Sequence, residues 1–469
     1  MLDTAIRNAT IITAGDRYIA QIGIRNGRII TIAEDVGPAH EEIDATGLWV
    51  MPGGIDAHVH LEQPQGPNVV MADGFESGTR SAAAGGTTTV MPFALQQKGQ
   101  SLREVVDAYH AAAKDKCHVD CSFHIIITDP TPQVLGQELP ALVKAGYTSF
   151  KVFMTYDDMV LNDAQLLDVF DVARREKAMV MVHAEGYDAI RYMTRRLEEA
   201  GHTAPYFHAE SRPESVEREA THRAISHAEL TDVPIMIVHV SGREPMEQIQ
   251  WAKRRGRKLY AETCPQYIAL TANNLKGLNM DFEGAKYVCS PPPRDTDSQK
   301  AIWEGLRDGT FDIFSSDHCP FRFDDPKGKS VEGARTSFRW VPNGIPGIET
   351  RLPILFSEGI VKGRITPERF VALTATNPAK LFGMYPQKGT IAIGADADLT
   401  LWDPQRQVTI SQSLMHHDCD YTPYEGMQVT GWPVRTILRG QTIMANGAIT
   451  GTTDIGTYID RGLSAAFTA

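Results

Sequence analysis

The side chains best suited to chemistry are four histidines, an aspartate and a lysine. His58 and His60 close the stretch Pro52-Gly53-Gly54-Ile55-Asp56-Ala57-His58-Val59-His60, in which apolar and polar residues alternate. That period of two is a strand, and a strand points both imidazoles to one side. Neutral imidazole is a good ligand for zinc and other divalent transition metals. A bare His-x-His is more often two exposed histidines beside a turn, so the other candidates matter. His183 ends the apolar run Met179–Val182, His239 ends Ile235–Val238, and Asp317 follows Phe311–Ser316. Lys151 stands in Phe150-Lys151-Val152-Phe153, where a free ammonium is costly to bury.

The elements that must position these groups alternate between strand and helix. After the strand at Gly54 come apolar runs at 87–91, 122–127, 148–153, 179–183, 235–239, 258–263 and 311–316. Helical patterns such as 163–176, 217–230 and 245–255 lie between most of them. Eight such strands predict a (β/α)₈ TIM-like barrel, whose active groups sit at the carboxyl ends of the strands. A doubly wound open sheet is the alternative, and it lacks a Gly-x-Gly-x-x-Gly after the first strand. The barrel rule carries His58, His60, Lys151, His183, His239 and Asp317 to one rim. His110, His202, His208 and His416 fall in helices or loops and are expected to be exposed or satisfied by neighbours.

Residues 1–53 read as short strands with tight turns, and Asn26-Gly27 is a strong hairpin signal. β-texture returns at 387–453, so both termini are expected to build one small β-sandwich domain interrupted by a barrel at 54–386. The tail at 454–469 has no core pattern and is expected to be an arm on a neighbouring subunit or disordered.

Composition narrows the partners. With 469 residues, 42% hydrophobic and 22% charged, the chain is long enough for a large domain plus a smaller one. A net charge of -12 argues against nucleic acid and anionic membrane surfaces. The one basic run, Lys253–Lys258, reads as a solvated helix end. No secretory leader or run of about 20 apolar residues is visible. Six scattered cysteines read as reduced thiols in a cytoplasmic protein.

Taken together, His58-Val59-His60, Lys151, His183, His239 and Asp317 resemble the ligand pattern of the amidohydrolase superfamily. Met51–Asp56, Ser149–Met154, Val182–Glu185, Ser316–Pro320, Pro342-Asn343-Gly344 and the 389–404 segment are similar to its hydantoinase/dihydropyrimidinase (cyclic amidohydrolase) branch. The resemblance implies two zinc ions bridged by N6-carboxylated Lys151, one held also by His58, His60 and Asp317, the other by His183 and His239. It implies ring opening of a hydantoin or dihydropyrimidine to an N-carbamoyl amino acid by a zinc-bridged hydroxide. Asp317 would act as general base and then acid, and Tyr156 as oxyanion donor. Ser290 and Asn343 would hold the cyclic amide through backbone groups. A homo-oligomer, dimer or tetramer, is implied as well.

Three departures bear on the ring substituent. Gly186-Tyr187-Asp188 stands where the branch has Asn-Gly-Asp, Val90-Met91-Pro92-Phe93 replaces a strand ending in Asp-Phe, and the loop Tyr156–Leu161 is about one residue short. Dihydroorotase is disfavoured, because Glu62 occupies the position of a carboxylate-binding arginine. Allantoinase, cyclic imidase and a non-enzymatic scaffold on the same fold are the alternatives. The scaffold relatives have lost metal ligands, whereas all six are present here.

Overall fold

A computed structural model describes residues 1–66 and 68–468. Its centre is a parallel barrel whose strands are neighbours in sequence order: Gly54–Val59, Thr87–Leu95, a third strand in two pieces (Asp120–Cys121 and His124–Ile126), Ser149–Phe153, Met179–His183, Ile235–Ile237, Leu259–Thr263 and Ile313–Phe314. These runs are apolar on both faces because both are covered. Val180 and Val182 face the surrounding helices, while Met179 and Met181 face the barrel interior with Met91, Phe93, Met236 and Ile313. Helix Asp163–Glu176 shows why the crossovers form where they do. Asn162 and Gln165 make a reciprocal capping box at its start, and Leu166, Val169, Phe170 and Ala173 bury one face.

The seam between the first and last strands closes with few ladder bonds. Val59 pairs with His318 in a single parallel bridge, and His60 N donates to His318 O at 2.7 Å. The rest of the closure is made by side chains. Arg351, fully buried, donates to Ile55 O at 3.1 Å, Phe314 O at 2.8 Å and Thr87 Oγ1 at 2.9 Å. It also pairs with Asp56 at 3.3 Å, whose other oxygen accepts from Ser316 N at 3.0 Å.

Both termini build one nine-stranded mixed sheet, as expected. Its order is Ala448–Ile449, Gln441–Ala445, Gln428–Leu438, Leu399–Thr409, Trp49–Pro52, Leu2–Ile12, Arg17–Arg25 and Arg28–Ala33, with Ala39–Asp44 also on Leu2–Ile12. Asn26 and Gly27 have φ of 51° and 73°, the geometry of a tight hairpin turn. That turn packs on Arg439, so the sheet curls over a core of Ile6, Ile22, Ile24, Val50, Leu399 and Ile437. Trp49–Pro52 joins the two terminal segments and runs straight into the first barrel strand. Gly53 makes the junction possible, since a Cβ there would lie 2.1 Å from Thr88 Oγ1.

Two expectations need correction. Residues 410–427, assigned to the small domain, leave the sheet and lie on loops of the barrel. Asp418 N donates to Asp73 at 2.8 Å, Phe323 N to Asp420 at 2.6 Å, and His416 bonds Glu349 at 2.9 Å. The tail, expected as an arm or disordered, lies against its own barrel. Tyr458 bridges to Cys121, Arg461 donates to Ser149 Oγ at 2.7 Å and Phe123 O at 2.5 Å, and Ile459 and Ala466 join the interior core. Its buried groups are too sparse to make a periodic pattern, so tertiary contacts decide its course. Arg351→Met should cost about 3–5 kcal/mol, because it strands the buried Asp56 carboxylate. The check is the urea midpoint; an unchanged midpoint would show that the seam closes without this side chain.

Candidate active site

The strand ends bring all six predicted groups into one buried cluster. Ligand atoms of His58, His60 and Asp317 lie within 4.8 Å of one another. His58 Nε2 is 3.2 Å and His60 Nε2 3.4 Å from Asp317 Oδ1, and Lys151 Nζ is 3.3 Å from His58 Nε2. The rings of His183 and His239 are 4.3 Å apart, and that of His239 is 5.4 Å from His58.

Strand alternation places only some of these groups. Met179, Met181 and His183 follow one inward row, as do Lys151 and Phe153. In the sixth strand Met236 and Val238 point inward, so alternation alone would turn His239 out. Its φ of 40° re-aims it, and Asp317 has φ of 50°. Such φ values are unfavourable for residues other than glycine and cluster at functional sites. In the first strand Ile55 and Ala57 face the interior, and a register irregularity between Asp56 and Val59 brings His58 in as well.

Each of three imidazoles is anchored at one nitrogen, leaving the other to face the cluster. His58 Nδ1 bonds Glu262 at 2.7 Å, His60 Nδ1 bonds Gln63 at 2.7 Å, and His183 Nε2 bonds Glu185 at 2.7 Å. Outer partners of this kind fix ring orientation in metal sites. His239 is buried with neither ring nitrogen hydrogen-bonded, an arrangement that calls for a further partner. Burial holds His58, His183 and His239 below the ordinary imidazole range, and Lys151 pushes the same way. Neutral imidazoles beside a carboxylate are the donor set of a divalent metal.

Lys151 lies 5.1 Å from the Phe93 ring and 5.2 Å from that of Phe153. Burial brings its pKa down to about 8, against the pull of Glu262 and Asp317. Phe93, which follows the departing Pro92, thus walls the cluster and also stacks on His60 at 5.0 Å.

Tyr156 stands at the cluster's edge, its ring 5.3 Å from that of His183 and its φ at 72°. Burial pushes its phenol up to about 12, while Arg212, Ser290 and Asn343 oppose the rise. Tyr156 and Asn343 also line a cavity of about 560 Å³, whose far wall is helix Tyr187–Glu199 together with Phe338 and Trp340. Tyr187 donates a hydrogen bond to Asp157 across it.

Several contributors escaped the sequence reading. Glu262, in the strand Leu259–Thr263, contacts His58 and also accepts from His239 N at 3.2 Å. An acidic residue inside a buried apolar strand is the signal that could have found it. Arg212 pairs with Glu185 at 3.0 Å and lies 5.6 Å over the Tyr156 ring. His208, as expected of a satisfied histidine, bonds Cys289 O at 2.9 Å, but it does so beside Ser290, 3.2 Å from its Oγ. Glu62 points elsewhere, meeting Phe75 N and Lys116 at 3.5 Å at the start of helix Phe75–Ala84.

Residues 49–443 match the amidohydrolase family, and the chain belongs to that family. Within it, the chain is 45% identical over 461 residues to the D-hydantoinase of Rhizobium radiobacter, covering 98% of this chain and 99% of the relative. The D-hydantoinase of Ralstonia pickettii matches with the same identity and coverage. The crystal structure of dihydropyrimidinase from Brevibacillus agri superposes with a TM-score of 0.95 at 42% identity, covering 99% of each chain.

Glu185 gives a pH-dependent test. Burial raises its carboxyl, but Arg212 and His183 outweigh that and hold it at about 2, below its ordinary 4.5. A lowered pKa stabilises the fold above the unfolded value and loses that contribution as pH falls toward 2, here worth about 3 kcal/mol. Glu185→Gln should therefore flatten the acid limb of stability between pH 4.5 and 2. It should also weaken metal retention against a chelator about 10–100-fold. Unchanged values of both would show that His183 is oriented without Glu185.

Proposed function

We propose that this chain opens the ring of a hydantoin or dihydropyrimidine by hydrolysis, releasing an N-carbamoyl amino acid. The observation that carries this reading is the single buried cluster of His58, His60, Lys151, His183, His239 and Asp317, in a chain 45% identical to D-hydantoinases. The cluster would hold two zinc ions, one through His58, His60 and Asp317 and the other through His183 and His239. N6-carboxylated Lys151 would bridge them. When bound, the ions would lower the pKa of water and polarise the scissile carbonyl.

The residues supply the remaining chemistry. A lysine near pKa 8 has a usable neutral fraction, and its amine adds CO₂ to give a carbamate and a proton. The change replaces a buried cation with an anion bearing two donor oxygens, which relieves the burial penalty once cations are present. Asp317 would accept the proton of the attacking water and pass it to the leaving ring nitrogen. Tyr156, held near 12, stays protonated at neutral pH and can donate to the developing oxyanion. Ser290 and Asn343 would hold the ring amide through backbone groups, and the adjoining cavity would take the exocyclic substituent. No helix among the described residues is long and apolar enough to cross a membrane. A cytoplasmic homo-oligomer, dimer or tetramer, completes the proposal; all six cysteines are free and buried, in keeping with a reducing compartment.

The test is hydrolysis by zinc-loaded protein of dihydrouracil, hydantoin, both enantiomers of a 5-aryl hydantoin, allantoin and a cyclic imide. Turnover of dihydrouracil or a hydantoin to the N-carbamoyl product is expected. Turnover of allantoin or the imide alone would overturn the substrate and keep the mechanism. Tyr156→Phe should lower kcat about 10²–10³-fold. Protein grown with ¹³C-bicarbonate should show a carbamate carbon signal that Lys151→Ala lacks; its absence from the parent protein would remove the bridge from the scheme.

A further inference from the structure

Lys329 is a buried lysine that this chemistry does not use. It lies in the segment joining the last barrel strand to Pro342-Asn343-Gly344 and is fully buried. Burial brings its pKa down to about 7 against the pull of nearby thiols, and among the described residues no carboxylate forms an ion pair with it. Those neighbours, Cys289, Cys319 and Cys419, are themselves pushed up by burial and carry no compensating charge.

Its bonds go to backbone instead. Lys329 Nζ donates to Val288 O at 2.8 Å and to Pro342 O at 2.6 Å. Val288 lies two residues before Ser290, and Pro342 immediately precedes Asn343. A direct bond, Gly344 N to Val288 O at 3.0 Å, completes the knot. Gly344 has φ of 152°, and a Cβ there would meet Cys319 O at 2.3 Å, so the turn has little room to shift sideways.

A buried charge without a counter-ion is a poor device for stability. Removing it would relieve that cost while taking a donor from Pro342 O, so the two effects on stability oppose one another. What this ammonium does supply is direction, since its two bonds fix the spacing of two separate segments. We propose that Lys329 is a positioning residue for the substrate, setting the register in which the Val288–Ser290 and Pro342–Gly344 backbones grip the ring amide. The inference rests on the ring-opening reading.

Lys329→Met removes both donors at similar volume. The expected result is a KM for hydantoin or dihydrouracil raised about tenfold or more, as for loss of a binding hydrogen bond. Values of kcat within about threefold of the parent are expected, with metal content unchanged and a thermal midpoint within a few degrees of the parent's. Amide exchange should rise about tenfold in peptides spanning 288–290 and 342–344, with the barrel strands unaffected. Lys329→Arg, which keeps donors, should recover part of both. Exchange needs no substrate, so it decides the positioning role even where the parent protein opens no ring, a result that would sink only the ring-opening reading. Unchanged exchange at the two segments, exchange raised throughout the barrel, or failure of Lys329→Met to fold would overturn the assignment.

Discussion

Closure of the barrel is the constraint on which the site depends. His58 and His60 come from the first strand and Asp317 from the end of the last, more than 250 residues later in the chain. They meet because those strands meet, and the ladder at that seam is a single bridge. The deficit is made up by Arg351 and Asp56, which satisfy carbonyl and amide groups that an ordinary ladder would pair. A rigid seam matters more here than elsewhere around the barrel. Opening it would separate the His58–His60 pair from Asp317, whereas strain in the outer sheet would leave every group of the cluster in place.

Burial sets the electrostatics of that cluster. Desolvation pushes His58, His183, His239 and Lys151 down and Glu262 up to about 8, each toward its neutral form. Glu262 draws on this twice, fixing the His58 ring through Nδ1 and the His239 backbone through its amide. Glu185 is the exception, because the Arg212 guanidinium keeps it charged. The His183 anchor is therefore a full carboxylate, and the same guanidinium lies against the Tyr156 ring. Orientation of a candidate ligand and of the candidate oxyanion donor thus passes through one side chain.

The sequence made some of this legible and concealed the rest for identifiable reasons. Period-two runs located Met179–His183 to the residue, and helical spacing located Asp163–Glu176 equally well, because local pattern and tertiary burial agree there. The rule that barrel groups gather at strand ends brought the six residues together. Alternation could not orient His239 or His58, since one depends on a positive φ and the other on a register irregularity. Arg351 and Lys329 were invisible because their roles lie in contacts with distant backbone, of which composition carries no trace, whereas Glu262 left only the weak signal of an acid in an apolar strand. The tail was misread for the opposite reason: Tyr458, Ile459, Arg461 and Ala466 are ordinary residues that become core only against a barrel floor formed 300 residues earlier.

Two departures that look independent in the sequence turn out to be one physical unit. The shortened Tyr156–Leu161 loop and the Gly186-Tyr187-Asp188 segment face each other across the cavity, and Tyr187 donates to Asp157 between them. Arg191 supports this contact from the same helix, bonding the Tyr187 hydroxyl at 3.0 Å with its guanidinium over the ring. Val160 N and Met159 N both return to Tyr156 O, so the loop is a compact turn whose tip is held from outside. The buried cluster is carried on strand ends fixed by the barrel, while the cavity wall is carried on this loop and helix. Changes in this loop and helix can therefore reshape the cavity through surface contacts that leave the buried cluster untouched.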